Sequence, residues 1–272
     1  MRPTLPSPVT PFHRAAVVTA LVTLAAAVVH WPLAVLFPAL FAILCVSASV
    51  CQRCGFYLPV ISRGSDRLNA VALTFDDGPD PATTPRLLDL LAARGVPATF
   101  FVTGRRAHAH PELIRAIADA GHTLGNHSYS HSTLLAFKGR VRLRADIAAT
   151  QDELARQGIA TALFRPPVGV TYPGLAAVLA ELGLSAVGFS CRARDFGNRT
   201  VDHIARRILA CAAPGDIIML HDLPPRKAGR VDRWLAEIDA LLSGLNVRNL
   251  AVRPLLDLIG HRVRTGRTPL ER

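Results

Sequence analysis

The stretch AVALTFDDGP, residues 70–79, decides the architecture of this chain. An apolar, strand-like run ends abruptly at two adjacent carboxylates, Asp76 and Asp77, and Gly78-Pro79 then turns the chain. Two neighbouring carboxylates repel each other at neutral pH, so a cation must lie close to them. A metal ion and an arginine side chain are the two candidates.

Strand-like and helical runs alternate from Asn69 onward, with SAVGFS (185–190) as one of the strands. This alternation predicts an α/β fold of parallel strands joined by crossover helices. In a closed β/α barrel the functional side chains gather at the C-terminal ends of the strands. Polar groups follow five of the apolar runs: Asp76-Asp77, Asn126-His127, Arg165, Asp195 and His221-Asp222. The sequence therefore predicts a barrel with its site at that edge.

His127 and His131 are four residues apart, and on a helical turn this spacing places both imidazoles on one face. Two histidines and one carboxylate, with water in the remaining position, form an open catalytic metal site. Either Asp76 or Asp77 can supply the carboxylate. The other carboxylate then remains free to take a proton from water.

Five stretches, in order, resemble the motifs of the NodB-homology polysaccharide deacetylases, carbohydrate esterase family 4. They are TFDDGP (74–79), NHSYSH (126–131), RPPVG (165–169), RDF (194–196) and LHD (220–222). The resemblance covers roughly residues 69–254. It implies a distorted (β/α) barrel, a divalent metal with zinc as the first choice, and N-deacetylation of an N-acetylated amino sugar.

The resemblance also implies separate roles for Asp76 and Asp77. Asp77, His127 and His131 would bind the metal. Asp76 would be the general base, and Arg165 would hold it by an ion pair. The metal would thus neutralise one carboxylate and the guanidinium the other.

On the other side of the substrate, the resemblance implies that His221 is the general acid that protonates the departing amine. Asp195 would hydrogen-bond His221 and favour its protonated form. Substrate contacts would come from Leu220, which would line the pocket for the acyl methyl group, from Pro166, and from the peptide N–H of Val168, which would face the oxyanion.

Two of the five stretches depart from the family pattern. The fourth motif of the family reads DxxDW, whereas this chain has Arg192 for the first aspartate and Phe196 for the tryptophan. The third motif often carries an aromatic residue where this chain has Val168. The departures favour a sugar groove unlike that for chitin or peptidoglycan. Arg192 and Arg194 either contact phosphate of a lipid-linked sugar or are solvated.

Residues 15–50 contain no charged side chain. This run is too long for a single helix of about 20 residues across a bilayer, and His30-Trp31-Pro32 near its middle predicts a hairpin of two short helices. A single tilted span and an uncleaved signal sequence are the alternatives. Arginines flank the run on both sides, which suits a hairpin with both ends cytoplasmic, whereas a single span would place the large domain outside. We expect a bacterial inner-membrane protein, with a slight preference for the cytoplasmic side.

These patterns divide the chain into a basic tail (1–14), the membrane segments (15–50), a linker (51–68) and the deacetylase domain (69–272). The net charge of +11 suits anionic membrane lipid or a phosphate-linked substrate as a partner. No nucleic-acid recognition motif is present, and we expect no nucleic-acid partner.

Five cysteines, an odd number, argue against a complete disulfide framework. Cys51 and Cys54 have C-x-x-C spacing, and we interpret them as two juxtamembrane thiols, with a redox or zinc-relay role as the alternative. Cys191 and Cys211 are predicted to be small core residues.

The leading hypothesis is a membrane-anchored, metal-dependent N-deacetylase that acts on an envelope glycan or a lipid-linked saccharide. A deformylase of a lipid-linked amino sugar is a close alternative. A catalytically inactive, glycan-binding membrane protein built on the same barrel belongs to a different class, and the intact set of polar residues argues against it.

Overall fold

In the computed structural model, residues 9–51, 54–137 and 139–260 are described. Residues 1–8 of the predicted basic tail lie outside the described residues. Within the described ranges the sheet has eight parallel strands: β1 (Ala70–Asp76), β2 (Thr99–Val102), β3 (Thr123–Asn126), β4 (Leu163–Phe164), β5 (Ser185–Ala186), β6 (Cys191–Arg192), β7 (Ile217–His221) and β8 (Ala251–Val252). Neighbours follow the order β5-β4-β3-β2-β1-β7-β6, and β8 pairs with the beginning of β1. The predicted distorted (β/α) barrel is confirmed.

Strand β1 lies in the middle of the sheet, between β2 and β7, and every one of its residues is buried. Successive side chains of a strand point to opposite faces. Phe75 packs in the apolar layer between sheet and helices, whereas Ala72 and Phe101 belong to a separate inner layer. Asp76 ends the strand on the inner face, and its Cα pairs with Phe101 on one side and His221 on the other.

Helices cover the outside of the sheet. They are α3 (Thr84–Ala93), α4 (Gly104–Ala109), α5 (Pro111–Asp119), α6 (Gly139–Arg156), α7 (Leu175–Glu181), α8 (Ile204–Leu209), α9 (Val231–Val247) and α10 (Leu255–Ile259). The prediction of one strand over residues 185–190 is wrong, because the ladder with β4 ends at Ala186 and the chain joins a different neighbour, β7, at Cys191. The interruption marks the gap between the two ends of the curled sheet.

Part of the segment predicted as a linker closes this gap. Ile61 pairs with Val187, just after β5, and Arg63 pairs with Asp216, just before β7. An Arg63 guanidinium nitrogen lies 3.2 Å from the carboxylate of Asp216, which is almost fully buried. Residues 61–63 therefore contribute to the barrel wall. The boundary at residue 69 stays a prediction.

Two apolar helices precede the barrel, α1 (Pro11–Val29) and α2 (Leu33–Val50), and they pack against each other. Among the described residues, Pro11–Val29 is the one helix with the length and composition to cross a membrane, while Ala34–Val50 is apolar but shorter. α2 contacts the loop that follows β4, and α1 contacts the segment that precedes β1. The N–H of Phe12 donates to Phe56 O, and the N–H of Thr171 donates to Ser49 O.

Candidate active site

The two adjacent aspartates at the end of β1 have separate partners. Asp76 is buried, and its Oδ1 accepts a hydrogen bond of 2.6 Å from Nη1 of Arg165. Arg165 follows β4, two strands beyond β2 in the sheet, so its side chain crosses the barrel interior to reach β1. An arginine, one of the two cations expected near this pair of aspartates, therefore lies beside Asp76.

Arg165 is fully buried, and every polar contact it makes lies inside the barrel. It also donates to Thr74 Oγ1 at 2.7 Å and to the backbone oxygens of Gly188 and Val187 at 2.8 and 3.3 Å. Its guanidinium carbon lies 4.0 Å from the centre of the Phe101 ring. Burial lowers the pKa of Arg165, and the ion pair with Asp76 opposes that shift. These contacts fix the orientation of the Asp76 carboxylate.

Asp77 faces two imidazoles. Its Oδ1 lies 3.4 Å from Nε2 of His127 and 3.0 Å from Nε2 of His131. Burial alone would raise the pKa of Asp77, but the two histidines outweigh burial and hold the pKa well below its usual range. One ligand atom from each of the three residues lies within 4.8 Å of the other two, which is the arrangement of a metal-binding group.

The hydrogen bonds around His127 and Asp77 provide a test of whether a cation fits here. Nδ1 of His127 donates to the backbone oxygen of Arg165 at 2.8 Å, and this bond orients Nε2 toward Asp77 in the way that metal-binding histidines are oriented. Asp77 Oδ1 is a buried acceptor with no hydrogen bond from any residue in the described ranges. A buried charged oxygen without a partner is unfavourable unless a cation lies against it. The three residues therefore fit a divalent metal ion, and two imidazoles with one carboxylate suit zinc.

The loop that carries both histidines is not helical, so the predicted helical turn is wrong. His127 directly follows β3, and the backbone then turns through left-handed conformations at Ser128 (φ 63°) and His131 (φ 49°). The two rings meet with their centres 4.9 Å apart. The same convergence thus comes from a tight loop instead of a helix face.

Two side chains of α6 that the sequence analysis did not single out, Asp146 and Gln151, hold this loop together with Asn126. Asp146 of α6 accepts hydrogen bonds from the N–H groups of Tyr129 and Ser130. Asn126 accepts a hydrogen bond from the N–H of Ser128 and donates to Gln151 of α6. Their only sequence signal is that polar residues interrupt the apolar face of a helix, which is too common to identify them.

His221 ends β7, beside Asp76, and is paired with a buried carboxylate. Its Nδ1 lies 2.9 Å from both oxygens of Asp195. Burial alone would lower the pKa of His221, but the hydrogen bond and charge of Asp195, together with the charges of Asp76 and Asp77, raise it to about 9. A pKa of about 9 makes His221 a cation at neutral pH, with Nε2 as its second proton donor.

Asp195 lies in a turn with an irregular backbone. Arg194, Phe196 and Asn198 all adopt left-handed φ angles, of 54°, 52° and 58°. The amide of Asn198 donates to the backbone oxygens of His221 and Leu223, which ties this turn to the end of β7. Phe196 is 70% exposed at the surface of the turn.

Asp222 lies beside the site, and its hydrogen bonds support the structure there. Its two oxygens accept from the hydroxyls of Thr83 and Thr84. Burial raises the pKa of Asp222 to about 6, although the two threonines lower it. A Cβ added at Gly78 would lie 2.6 Å from Asp222, so only glycine permits this close packing behind Asp77.

Of the predicted substrate contacts, Leu220 is misplaced. Its side chain is fully buried with Phe75 in the layer between sheet and helices. The family resemblance implied Leu220, but alternate residues of a strand share a face, so Leu220 and His221 lie on opposite faces of β7. Met219 therefore lies on the face of His221. Pro166 is buried, and Val168 is 58% exposed with a left-handed φ of 51°, which is rare for a β-branched residue.

Comparisons with known proteins show the family to which this chain belongs. Residues 63–187 match the polysaccharide deacetylase family. A chitooligosaccharide deacetylase of Sinorhizobium fredii is 35% identical over 206 residues, which are 73% of this chain and 96% of that protein.

Two solved structures superpose well on the barrel. The Bc1960 peptidoglycan N-acetylglucosamine deacetylase has a TM-score of 0.68 and 31% identity, over 74% of this chain and 92% of that chain. The family 4 carbohydrate esterase from Streptomyces lividans, in complex with acetate, has a TM-score of 0.60 and 35% identity, over 67% and 91%.

Proposed function

Because this chain belongs to the polysaccharide deacetylase family, whose members hydrolyse carbon–nitrogen bonds in acetylated sugars, we propose that it is a zinc-dependent N-deacetylase of a membrane-linked amino-sugar substrate. The observation that carries the proposal is the convergence of Asp77, His127 and His131 beside Asp76. The chemistry of the donor set supports a divalent ion. When bound there, the ion would polarise the amide carbonyl and lower the pKa of water.

We assign the general base to one atom of Asp76. Arg165 occupies Oδ1, whereas Oδ2 lies 4.0 Å from Nε2 of His127, on the side of the metal ligands. Oδ2 takes a proton from the water whose oxygen attacks the amide carbon. Arg165 prevents the carboxylate from rotating away during this transfer.

His221 supplies the second proton. As the carbon–nitrogen bond breaks, Nε2 of His221 gives its proton to the amide nitrogen, so that a neutral amine departs. Asp195 holds the ring through Nδ1 and stabilises the positive charge before the transfer. Because Asp76 and His221 are paired residues of adjacent strands, the base and the acid flank the same substrate position.

Met219 and Val168 would shape the pocket for the acyl group and the neighbouring sugar. Met219 shares the inner face with His221, and a thioether side chain adapts to a small apolar group such as the acetyl methyl. Val168, two residues after buried Pro166 in the loop that follows β4, is exposed. The N–H of Val168 remains our candidate second donor to the oxyanion.

The position of the apolar helices supports a substrate held at a membrane. Ser49, near the end of α2, accepts a hydrogen bond from Thr171, three residues beyond Val168. Exposed apolar side chains lie in the segment that follows His131, namely Leu134, Phe137 and Val141. The base of the helix pair and an apolar rim therefore flank the same mouth. We propose that α1 and α2 anchor the enzyme and that lipid contacts this rim.

The test is acetate release by the full-length protein in detergent or vesicles, loaded with zinc. We expect release from a lipid-linked N-acetylated amino sugar to exceed release from a soluble chitooligosaccharide. Formate in place of acetate from the matching N-formyl lipid would identify a deformylase. Zinc binding without release of either acid from any of these substrates would contradict the proposal and favour the glycan-binding alternative.

A further inference from the structure

Two thiols lie in contact behind the turn that carries Asp195. Sγ of Cys191 is 3.0 Å from Sγ of Cys211, and the two residues are 20 positions apart in the chain. Cys191 is buried in β6, in the apolar layer with Ile204 and Ile208 of α8. Cys211 follows α8 and is exposed, so the prediction that both cysteines are core residues is wrong for Cys211.

We propose that Cys191 and Cys211 are a disulfide-forming pair that crosslinks β6 to the end of α8 when the domain meets a disulfide-bearing oxidant. A disulfide needs sulfur atoms about 2.05 Å apart. From 3.0 Å, closure needs only a small movement of two side chains. Neither thiol has a role in the proposed reaction, so the pair is available for this chemistry.

The contrast between the two thiols sets the order of steps. Exposed Cys211 is reached first, and its thiolate attacks one sulfur of a small disulfide such as glutathione disulfide, which releases one thiol and leaves a mixed disulfide. Burial raises the pKa of Cys191, so this thiol is a poor first attacker. It attacks the Cys211 sulfur from contact distance instead. The second thiol then leaves, so two electrons and two protons pass from the protein to the oxidant.

The crosslink would strengthen the less regular part of the barrel. β6 has only two residues, and the chain runs directly from it through Ala193 and Arg194 to Asp195. The sulfur atoms lie on the outer face of β6, among helix side chains, while the mouth of the site lies at the end of the strands. We therefore expect oxidation to stabilise the fold and to leave kcat within about twofold.

The experiment uses full-length protein in detergent, in a background where Cys45, Cys51 and Cys54 are replaced by serine. The protein is equilibrated in buffers with increasing ratios of oxidised to reduced glutathione, and remaining thiols are counted by alkylation after unfolding. We expect Cys191 and Cys211 to lose alkylation together, without bound glutathione. Persistent alkylation of both, or a glutathione adduct that stays on Cys211, would overturn the proposal.

Cys191→Ala provides the matched control. With the partner removed, Cys211 should accumulate the mixed disulfide that the parent protein resolves. If this variant does not fold, the parent protein still decides the matter through its melting temperature. The oxidised form should melt about 5 °C or more above the reduced form, since it closes a loop of moderate length. Equal melting temperatures of fully oxidised and fully reduced protein would show that a crosslink between β6 and the end of α8 does not stabilise the fold, which would overturn the proposal.

Discussion

The two sides of the site differ in how deeply their residues are buried and in the length of the strands that carry them. The metal side, which we define as Asp76, Asp77, His127, His131 and Arg165, draws on β1, β3 and β4 and lies largely inside the barrel. The acid side, which we define as His221, Asp195 and residues 192–198, draws on β7 and the two-residue strand β6. On the metal side Arg165 is fully buried, whereas on the acid side Arg192 and Phe196 are exposed.

The difference in burial distinguishes residues whose positions the reaction fixes from exposed residues that can vary with the substrate. Buried charges must be paired with well-oriented partners, so a change on the metal side leaves an uncompensated charge. The exposed positions of the acid side have no such constraint, and there the chain departs from its family at Arg192 and Phe196. We infer that the metal side sets the reaction and that the rim of the acid side sets which sugar enters.

The largest effect should follow from removing a metal ligand. His127→Ala should lose zinc affinity and at least about a thousandfold of acetate release, because the group that polarises the carbonyl is lost. Zinc content and single-turnover rates measure the two effects.

Asp76→Asn should keep zinc but lose a similar factor in rate. His108→Ala, an exposed histidine on α4, is the matched control and should change neither.

Next in size is the effect of Arg165→Met on stability. The change leaves the buried carboxylate of Asp76 without its ion pair, which should lower the free energy of unfolding by about 3–5 kcal/mol. Denaturant unfolding followed by circular dichroism measures it. The double variant with Asp76→Asn should recover most of the loss, because no unpaired charge remains. A double variant as unstable as Arg165→Met would contradict the role of this pair.

On the acid side, Asp195→Asn should shift the pH dependence. Catalysis needs protonated His221, so activity should fall as pH rises through the His221 pKa of about 9. Without the Asp195 charge, burial lowers the pKa of His221, so the alkaline limb of kcat/KM, which reports the free enzyme, should move to lower pH. The rate near neutral pH should fall about ten- to a hundredfold, with zinc content unchanged. An unmoved alkaline limb would remove His221 as the acid.

The smallest effects belong to the rim. Phe196→Trp and Arg192→Asp restore the residues typical of the family and should change KM for a chitooligosaccharide by about fivefold or less, with kcat unchanged. Arg199→Asp, another exposed arginine of the same region, is the matched control. Equal KM values in all three variants, for soluble and lipid-linked substrates alike, would show that this rim does not select the sugar.

The strand ends explain why much of the site could be predicted from sequence. Parallel strands bring all their C-terminal ends to one edge of the sheet. A polar residue that directly follows an apolar run can therefore be placed at that edge from the sequence alone. That argument alone brought together Asp76, His127, Arg165 and His221. Strand periodicity also gives the face of each residue, and Leu220 was misplaced because this count was not applied.

The rest of the site depends on contacts that no local pattern encodes. The approach of His127 to His131 follows from left-handed backbone at Ser128 and His131, which non-glycine residues rarely adopt. Asp146 and Gln151 support that loop from a helix about 20 residues further along the chain. Periodicity identified the helix but not which of its polar side chains faces inward.

The closure of the barrel by residues 61–63 has a mechanical consequence. Ile61 is paired with the end of β5 and Arg63 with the beginning of β7. In the membrane-anchored enzyme that we propose, a pull of the bilayer on α2 would therefore be transmitted into the sheet through backbone pairing. Lateral tension or a change in bilayer thickness would then act on the seam that lies beside Gly188, an anchor of Arg165. Swapping in a foreign anchor downstream of residue 63 would remove a piece of the enzyme's own wall.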